Sequence, residues 1–225
     1  MTFLKMAKIE FDYQDGFTHK MKGNPKMYVP YVRGGGFFNG EYKGDSQLII
    51  EGIMQNSEYD IDKWMSKQER ALANAFRSMI EEEVYWPAAW VRFMTPEFER
   101  VTLPTYFLKS KKLPAALGYL IGYLSRSAQK KRQHQQGTGR LTVPEMKIKM
   151  HRALGSLSVF LGNNNYLMGS KVCSCDASIY GFLSLACQGD WRHEVTDVLL
   201  EYPNLTAYVE RMRKEFWPEF QYIFF

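Results

Sequence analysis

The chain has 225 residues, of which 45% are hydrophobic and 24% are charged. This length allows a large core, and it lies near the upper end for one domain or the lower end for two. The basic excess behind the net charge of +5 is concentrated in a polar stretch, residues 126–140, which contains Lys130, Lys131, Arg132 and Arg140. We expect a solvated loop there. No aromatic residue alternates with these charges as a stacking platform requires, so nucleic-acid binding is not expected.

Three cysteines, Cys173, Cys175 and Cys187, are too few and too clustered for a disulfide framework, which predicts a reducing compartment. Cys173 and Cys175 have no partner pair at the spacing of a zinc site, and the four histidines do not fall at ligand spacing. No metal site is therefore predicted.

The longest strongly apolar run, residues 115–124, has about half the length that is needed to cross a bilayer. The first eight residues also lack the pattern of a cleavable secretory signal. We therefore expect a cytoplasmic protein without a transmembrane segment.

The amino-terminal part predicts two strands. Residues Ile9–Tyr13 alternate apolar and acidic residues at the period of a half-buried strand, and Tyr28–Val32 form a second apolar run. Pro30 lies inside that second run and has no amide hydrogen, so it indicates an edge or a point where the backbone turns outward. The glycines at 34–36, with Asn39-Gly40, supply the positive φ angles of a hairpin return.

A helix is predicted to begin at Asp45-Ser46, because the apolar residues Leu48, Ile49 and Ile53 that follow share one face. Gly52 and the polar residues 56–60 end it. The predicted order of this first part is strand, strand, helix.

The remainder of the chain is predicted to be helical. Ser66 with Glu69, and Thr142 with Glu145, match the capping box, in which a hydroxyl accepts from a first-turn amide and a carboxylate accepts from the cap amide. Asp176–Cys187 is nearly all apolar or small, which is typical of a helix buried on every side.

Several segments carry a resemblance to a known family. Tyr166–Lys171 and Asp176–Leu183 resemble the carboxy-terminal signature of the failed-axon-connections and metaxin branch of the glutathione-transferase-like proteins. The helix that starts at Ser66, the Val29-Pro30 pair and the Asp45-Ser46 pair fit as well, so the resemblance covers essentially the whole chain. It implies an α+β two-domain fold, with a truncated thioredoxin-like unit over residues 1–57 and an all-α domain over residues 66–225.

The resemblance also implies a binding site for glutathione. The amides at the helix start and the Ser46 hydroxyl would bind the glutamyl carboxylate, and the backbone of Val29 would pair with the cysteinyl part if the Val29–Pro30 bond is cis. A second interpretation stays open, in which Asp45 is an ordinary helix cap and binds no ligand. The aromatic residues Trp86, Trp90 and Phe93 are likewise open, as a second-substrate cleft or, more in keeping with their helical spacing, as core.

Two departures from the family bear on activity. Residues 2–9 match the end of the helix that follows the family's first strand and its Ser-Pro-Phe-Cys-like loop, so we expect the strand, the loop and the catalytic residue to be missing. Cys173 stands where relatives carry a Ser or Thr cap, and we expect this to cost about 0.5–2 kcal/mol unless Ser174 takes over. Asp176 can still accept a hydrogen bond from the cap amide.

Three functions stay open. A non-catalytic adaptor that associates with proteins in neuronal development is favoured, with glutathione as an optional ligand and no other cofactor. An active glutathione transferase would use glutathione as cosubstrate and would need a group that favours the thiolate. A metaxin-like factor would act in protein import at the mitochondrial outer membrane. Protein partners are expected, and whether the chain also forms a homodimer stays open.

Overall fold

The computed structural model describes residues 1–13, 29–33, 36–56, 58–109, 114–186 and 191–219. Tyr28, Gly34, Gly35 and Cys187, which enter the sequence predictions, lie outside these residues. A small amino-terminal part holds a two-stranded sheet, and the rest of the described chain is helical. The elements are α1 (Thr2–Met6), β1 (Tyr31–Arg33), β2 (Tyr42–Gly44), α2 (Ser46–Met54), α3 (Lys67–Glu83), α4 (Tyr85–Met94), a π-helix (Phe98–Leu108), α5 (Ala115–Gln136), a 3-10 turn (Thr138–Arg140), α6 (Val143–Leu161), α7 (Ser174–Ala186), a second 3-10 helix (Asp197–Glu201) and α8 (Pro203–Phe216).

The predicted strand at Ile9–Tyr13 is wrong, because the described chain has no regular secondary structure there. α1 ends in a Schellman motif just before it. Lys8 has a φ of 55°, the Lys8 amide donates to the Lys5 carbonyl at 3.1 Å, and the Ile9 amide donates to the Leu4 carbonyl at 2.8 Å. The backbone of Ile9 is therefore used to end a helix and does not begin a ladder. A lysine at the position that usually holds glycine hid this signal in the sequence.

The two strands form the predicted hairpin return. β1 overlaps the predicted strand at Tyr28–Val32, whereas β2 was not predicted as a strand. β1 and β2 are antiparallel, with Tyr31 opposite Gly44 and Arg33 opposite Tyr42. Asn39 and Gly40 have φ angles of 49° and 77°, so the chain reverses through the left-handed conformations that these residue types tolerate.

α2 buries Ile49, Ile50 and Ile53, whereas Leu48 is exposed. Ile49 and Ile53 are therefore buried as predicted, and Ile50 is buried in place of Leu48. Gly52 lies inside the helix, which runs on to Met54, and it does not end the helix as predicted. A Cβ atom at Gly52 would come within 2.5 Å of the Phe38 ring, so a glycine is needed there for the hairpin to pack on α2.

α5 corrects the prediction of a solvated loop at residues 126–140, because a single helix of 22 residues continues to Gln136. Arg, Lys, Gln and Ala are strong helix formers, and a charged stretch without an apolar stripe can still be helical when it extends a helix that is anchored elsewhere. The helix ends at Gly137, which has a φ of 111°. None of the helices in the described part of the chain is both long and apolar enough to cross a membrane.

Capping boxes begin α3 and α6. The Ser66 hydroxyl accepts from the Glu69 amide at 3.2 Å, and the Glu69 carboxylate accepts from the Ser66 amide at 2.7 Å. Thr142 and Glu145 are arranged in the same way at the start of α6. These hydrogen bonds lower the pKa of each glutamate, because they favour the carboxylate form.

The core of the helical part is organised around a buried carboxylate, that of Asp176 on α7. It accepts hydrogen bonds from the Leu167 amide at 2.9 Å, the Cys173 amide at 2.8 Å and the Tyr208 hydroxyl at 2.9 Å. Burial raises the pKa of Asp176 above its ordinary value, since the loss of hydration outweighs these three donors. The expected bond from Asp176 to the cap amide is therefore present, and the same carboxylate also fixes α8.

The start of α7 receives a second carboxylate from a distant part of the sequence. Asp62, which is buried in the segment before α3, accepts from the Ser174 amide at 2.7 Å and from the Ser174 hydroxyl at 2.6 Å. This contact satisfies the first amide of the helix where Cys173 offers only a thiol. Hydrogen bonds to Asp62, in the segment before α3, thus replace the hydroxyl cap that the sequence lacks at Cys173.

The Tyr208 hydroxyl offers a direct test of the Asp176 network. We expect Tyr208→Phe to lower the free energy of unfolding by about 1–3 kcal/mol, because it removes a donor from a buried carboxylate and offers nothing in return. Urea unfolding measures the change. Tyr119→Phe, at an exposed site on α5, is the matched control and should stay within about 0.5 kcal/mol of the parent. Equal stabilities for the two variants would contradict the role given to Asp176.

Candidate functional site

Four residues that sequence reasoning singled out lie together at one corner of the amino-terminal part. The Val29–Pro30 peptide bond is cis, and β1 begins directly after it. The Asp45 amide donates to the Pro30 carbonyl at 3.3 Å, which joins this bend to the start of α2. Val29, Pro30, Asp45 and Ser46 are all exposed, so a ligand can reach them.

Asp45 holds the first turn of α2 in place. Its Oδ1 atom accepts from the Gln47 amide at 3.0 Å and the Leu48 amide at 3.2 Å, and its carbonyl accepts from the Ile49 amide at 3.0 Å. The φ of Asp45 is 83°, which L residues rarely adopt. Its backbone and side-chain bonds together hold this conformation, and strained residues of this kind concentrate at functional sites.

Ser46 has two hydrogen-bond donors, its amide and its hydroxyl, at the start of α2. In the part of the chain that the structure describes, its amide and its hydroxyl donate to no protein acceptor. The amide lies at the amino end of α2, where the helix dipole favours a negative charge. Oδ2 of Asp45 likewise accepts no hydrogen bond from a described residue. The corner thus offers donors for a carboxylate beside an acceptor for an ammonium group, the pair that an α-amino acid end presents.

The other residues predicted to matter have structural roles. Ser66, Glu69, Thr142 and Glu145 cap helices, and Asp176 is buried in the core. None of them makes a hydrogen bond to the corner within the described residues.

The aromatic residues that were open as a cleft contribute to packing. The Trp90 ring contacts the His193 ring with centroids 5.8 Å apart, and the Phe93 ring lies 6.1 Å from the buried Phe98 ring. Trp86 packs edge-on against Tyr85. These contacts favour the core interpretation.

Sequence reasoning missed a buried cation in the helical part. Arg92 lies with its Cζ atom 4.6 Å from the Trp191 ring, and its Nη2 atom is buried without a hydrogen-bond partner among the described residues. Burial lowers the pKa of this guanidinium. The Trp191 indole stacks on Tyr106 and donates to Thr102 Oγ1 at 3.0 Å, so the cation sits over a fixed aromatic face. No sequence motif predicts this contact, because Arg92 and Trp191 lie far apart in the sequence.

A cleft of about 390 Å³ opens between the end of α5 and α6. Its cations are already paired with a glutamate, since Lys149 Nζ lies 3.5 Å and Arg152 Nη2 lies 2.5 Å from the Glu83 carboxylate. The cleft therefore has no unpaired cation from these two residues to offer an anion. It is lined by Gln136, Gly137, Thr138, Leu141, Glu145, Ile148, Lys149 and Arg152.

The two described cysteines are not reactive thiols. Cys173 and Cys175 are both buried, and burial raises the pKa of each thiol. Cys175 Sγ donates to the Ala73 carbonyl at 3.0 Å, which places it in the packing between α7 and α3.

Two regions of the chain match models of known protein families. Residues 1–98 match the model of the glutathione S-transferase N-terminal domain, and residues 150–212 match the model of the glutathione S-transferase C-terminal domain. The first match includes the corner formed by Val29, Pro30, Asp45 and Ser46, and the second includes Asp176.

Two similar proteins give further context. The chain is 29% identical to an isoprene-epoxide–glutathione S-transferase of Rhodococcus sp. (strain AD45) over 96% of this chain and 90% of that protein. It is 27% identical to a metaxin-1 homolog of Caenorhabditis briggsae over 70% of this chain and 49% of that protein. No solved structure matches at a significant level.

Substitutions at Asp45 test the corner as a structural unit. We expect Asp45→Ala to lower the free energy of unfolding by about 1 kcal/mol, because the first-turn amides lose their acceptor. Asp45→Asn keeps an acceptor oxygen and tolerates a positive φ, so its loss should be only a few tenths of a kcal/mol. Denaturant unfolding of both variants makes the comparison. An equal loss in both would mean that the charge of Asp45, and not its capping geometry, stabilises the corner.

Proposed function

Because the chain is a glutathione S-transferase-like protein, with a thioredoxin-like amino-terminal region of few strands and a helical carboxy-terminal domain, we propose that it binds glutathione and transfers it to an electrophile. The observation that carries this proposal is the similarity to a protein named as an isoprene-epoxide–glutathione S-transferase, which extends over nearly the whole of both chains. The corner at Pro30 and Asp45 is the proposed binding site.

The γ-glutamyl end of glutathione fits the open groups of this corner. Its carboxylate would accept from the Ser46 amide and hydroxyl, and its ammonium group would donate to Oδ2 of Asp45. Hydrogen bonds of this kind to charged groups are stronger than those between neutral groups. The Val29 backbone lies at the other side of the Asp45–Pro30 bond and would pair with the cysteinyl part of the tripeptide.

The proposed reaction is a nucleophilic addition. The glutathione thiol gives its proton to water, and the thiolate attacks a carbon of the electrophile, so that a carbon–sulfur bond forms. The group that would favour the thiolate is not assigned to a residue of the corner. With an epoxide, the carbon–oxygen bond at that carbon breaks, and the alkoxide that results takes up a proton. No oxidant or reductant is needed. The protein contributes by holding the tripeptide so that its sulfur meets the electrophile in a favourable orientation.

The non-catalytic adaptor favoured by the sequence is the weaker candidate. The relative that shares the greater coverage with this chain carries the name of a transferase, whereas the metaxin-1 homolog matches over about half of its own length. A relation of this chain to the metaxin branch is likewise a proposal, and it is supported by the similarity to the metaxin-1 homolog.

Ser46→Ala tests the proposed binding mode. We expect it to weaken glutathione binding roughly ten- to a hundredfold, because it removes a donor to a charged carboxylate. Isothermal titration calorimetry measures the affinity. Ser170→Ala, at an exposed loop serine, is the matched control and should bind glutathione like the parent.

Activity is measured separately, with isoprene monoxide as the electrophile and mass spectrometry of the thioether product. We expect conjugation by the parent chain, with a higher KM for glutathione in Ser46→Ala. Binding without conjugation would contradict the transferase and favour the adaptor. Conjugation that Ser46→Ala leaves unchanged would contradict the proposed site but not the activity.

A further inference from the structure

The first half of α5 turns large apolar side chains toward the solvent. Leu117, Leu120 and Leu124 are 40%, 56% and 61% exposed, and Tyr119 and Tyr123 are exposed beside them. Single exposed leucines are ordinary, but contiguous apolar surface usually marks an interaction site.

The opposite face of α5 explains why these leucines cannot turn inward. It carries Gly118 and Gly122, which are buried against the π-helix. A Cβ atom at Gly118 would lie 2.5 Å from the Phe107 carbonyl oxygen, and one at Gly122 would lie 2.3 Å from Leu103 Cδ1. Only glycine allows so close an approach, so the helix is fixed with its leucines outward.

The charge of α5 has one sign only. Between Ala115 and Gln136 the helix has no aspartate or glutamate, while it carries Arg126 and the three consecutive basic residues 130–132. Arg126 is paired with Glu99 of the π-helix, at 2.5 Å. Lys130 and Lys131 are exposed, and no ion pair joins them to a described residue.

The apolar and basic residues share one side of the helix. Leu120, Leu124 and Lys131 follow one another at steps of four and seven residues, which places them along the same face. Because the 22-residue helix is about 33 Å long, an apolar half and a basic half lie end to end on a single exposed surface.

We propose that this face of α5 binds the surface of a membrane that contains anionic lipids. Leucines would enter the boundary between headgroups and acyl chains, tyrosines would lie at the headgroup level, and the lysines would contact the lipid phosphates. The inference is independent of the proposed transfer of glutathione, since it uses no residue of the corner at Asp45.

A second copy of the chain fits this surface less well. A twofold axis would bring the same face of α5 against its copy. Neither helix has an acidic residue, so the basic residues of one copy would find no partner of opposite charge on the other α5. An anionic surface instead supplies the charge that α5 lacks. The net charge of +5 of the whole chain acts in the same direction.

Flotation of the purified chain with vesicles tests the proposal. We expect it to float with vesicles of phosphatidylcholine and phosphatidylserine, and to float much less with phosphatidylcholine alone or at high salt. The double variant Lys130→Gln/Lys131→Gln should weaken binding roughly fivefold for each lysine. Leu120→Gln/Leu124→Gln should weaken it at least about tenfold, because the apolar insertion is lost.

Matched controls lie on other helices. Val159 on α6 is 84% exposed, and Lys67 begins α3, so Val159→Gln and Lys67→Gln replace an exposed aliphatic residue and an exposed lysine away from α5. They should bind vesicles like the parent. All the substituted side chains are exposed, so every variant should fold. Circular dichroism checks this. Failure of the parent to float with anionic vesicles, or equal losses in controls and α5 variants, would overturn the proposal. So would a dimer, measured by analytical ultracentrifugation, that Leu120→Gln/Leu124→Gln dissociates.

Discussion

The buried carboxylate of Asp176 joins the loop before α7 and the start of α7 to α8, which lies further along the sequence. Its oxygens accept from Leu167, from Cys173 and from Tyr208, which belong to the loop before α7, the start of α7 and α8. A buried charge is costly unless its oxygens are hydrogen-bonded, so these segments must keep their relative positions for the fold to be stable. The packing of α7 against α3 and α1 then follows from this fixed helix.

The same helix carries the tie to the amino-terminal part. Asp62 reaches Ser174 at the start of α7, and α1 packs Phe3 and Met6 into the same core, with the Trp217 indole donating to Thr2 Oγ1 at 3.1 Å. α2 joins that core through its isoleucines. The exposed end of α2 and its bond to Pro30 are thereby held on a rigid support, which is what a binding site needs if its donors are to be positioned before the ligand arrives.

Local signals were predictable from the sequence, whereas distant ones were not. The capping boxes at Ser66 and Thr142 and the start of α2 depend on residues within one turn. The glutathione-transferase-like fold was predicted from the family resemblance, and the two domain matches confirm this fold. The loss of the predicted strand at Ile9 depends on a left-handed lysine, and the cap that Asp62 provides lies 112 residues from Ser174. Neither leaves a pattern in the sequence. Val29, Pro30, Asp45 and Ser46 were found by resemblance, and glutathione binding there stays a prediction.

The most direct measurement of the central claim is a titration of the ¹⁵N-labelled chain with glutathione, followed by NMR. We expect the amide signals of Val29, Asp45 and Ser46 to shift together and to saturate at one common dissociation constant, while those around Lys149 and Arg152 in the cleft stay in place. Shifts confined to the cleft, or an unchanged spectrum at saturating glutathione, would contradict the claim.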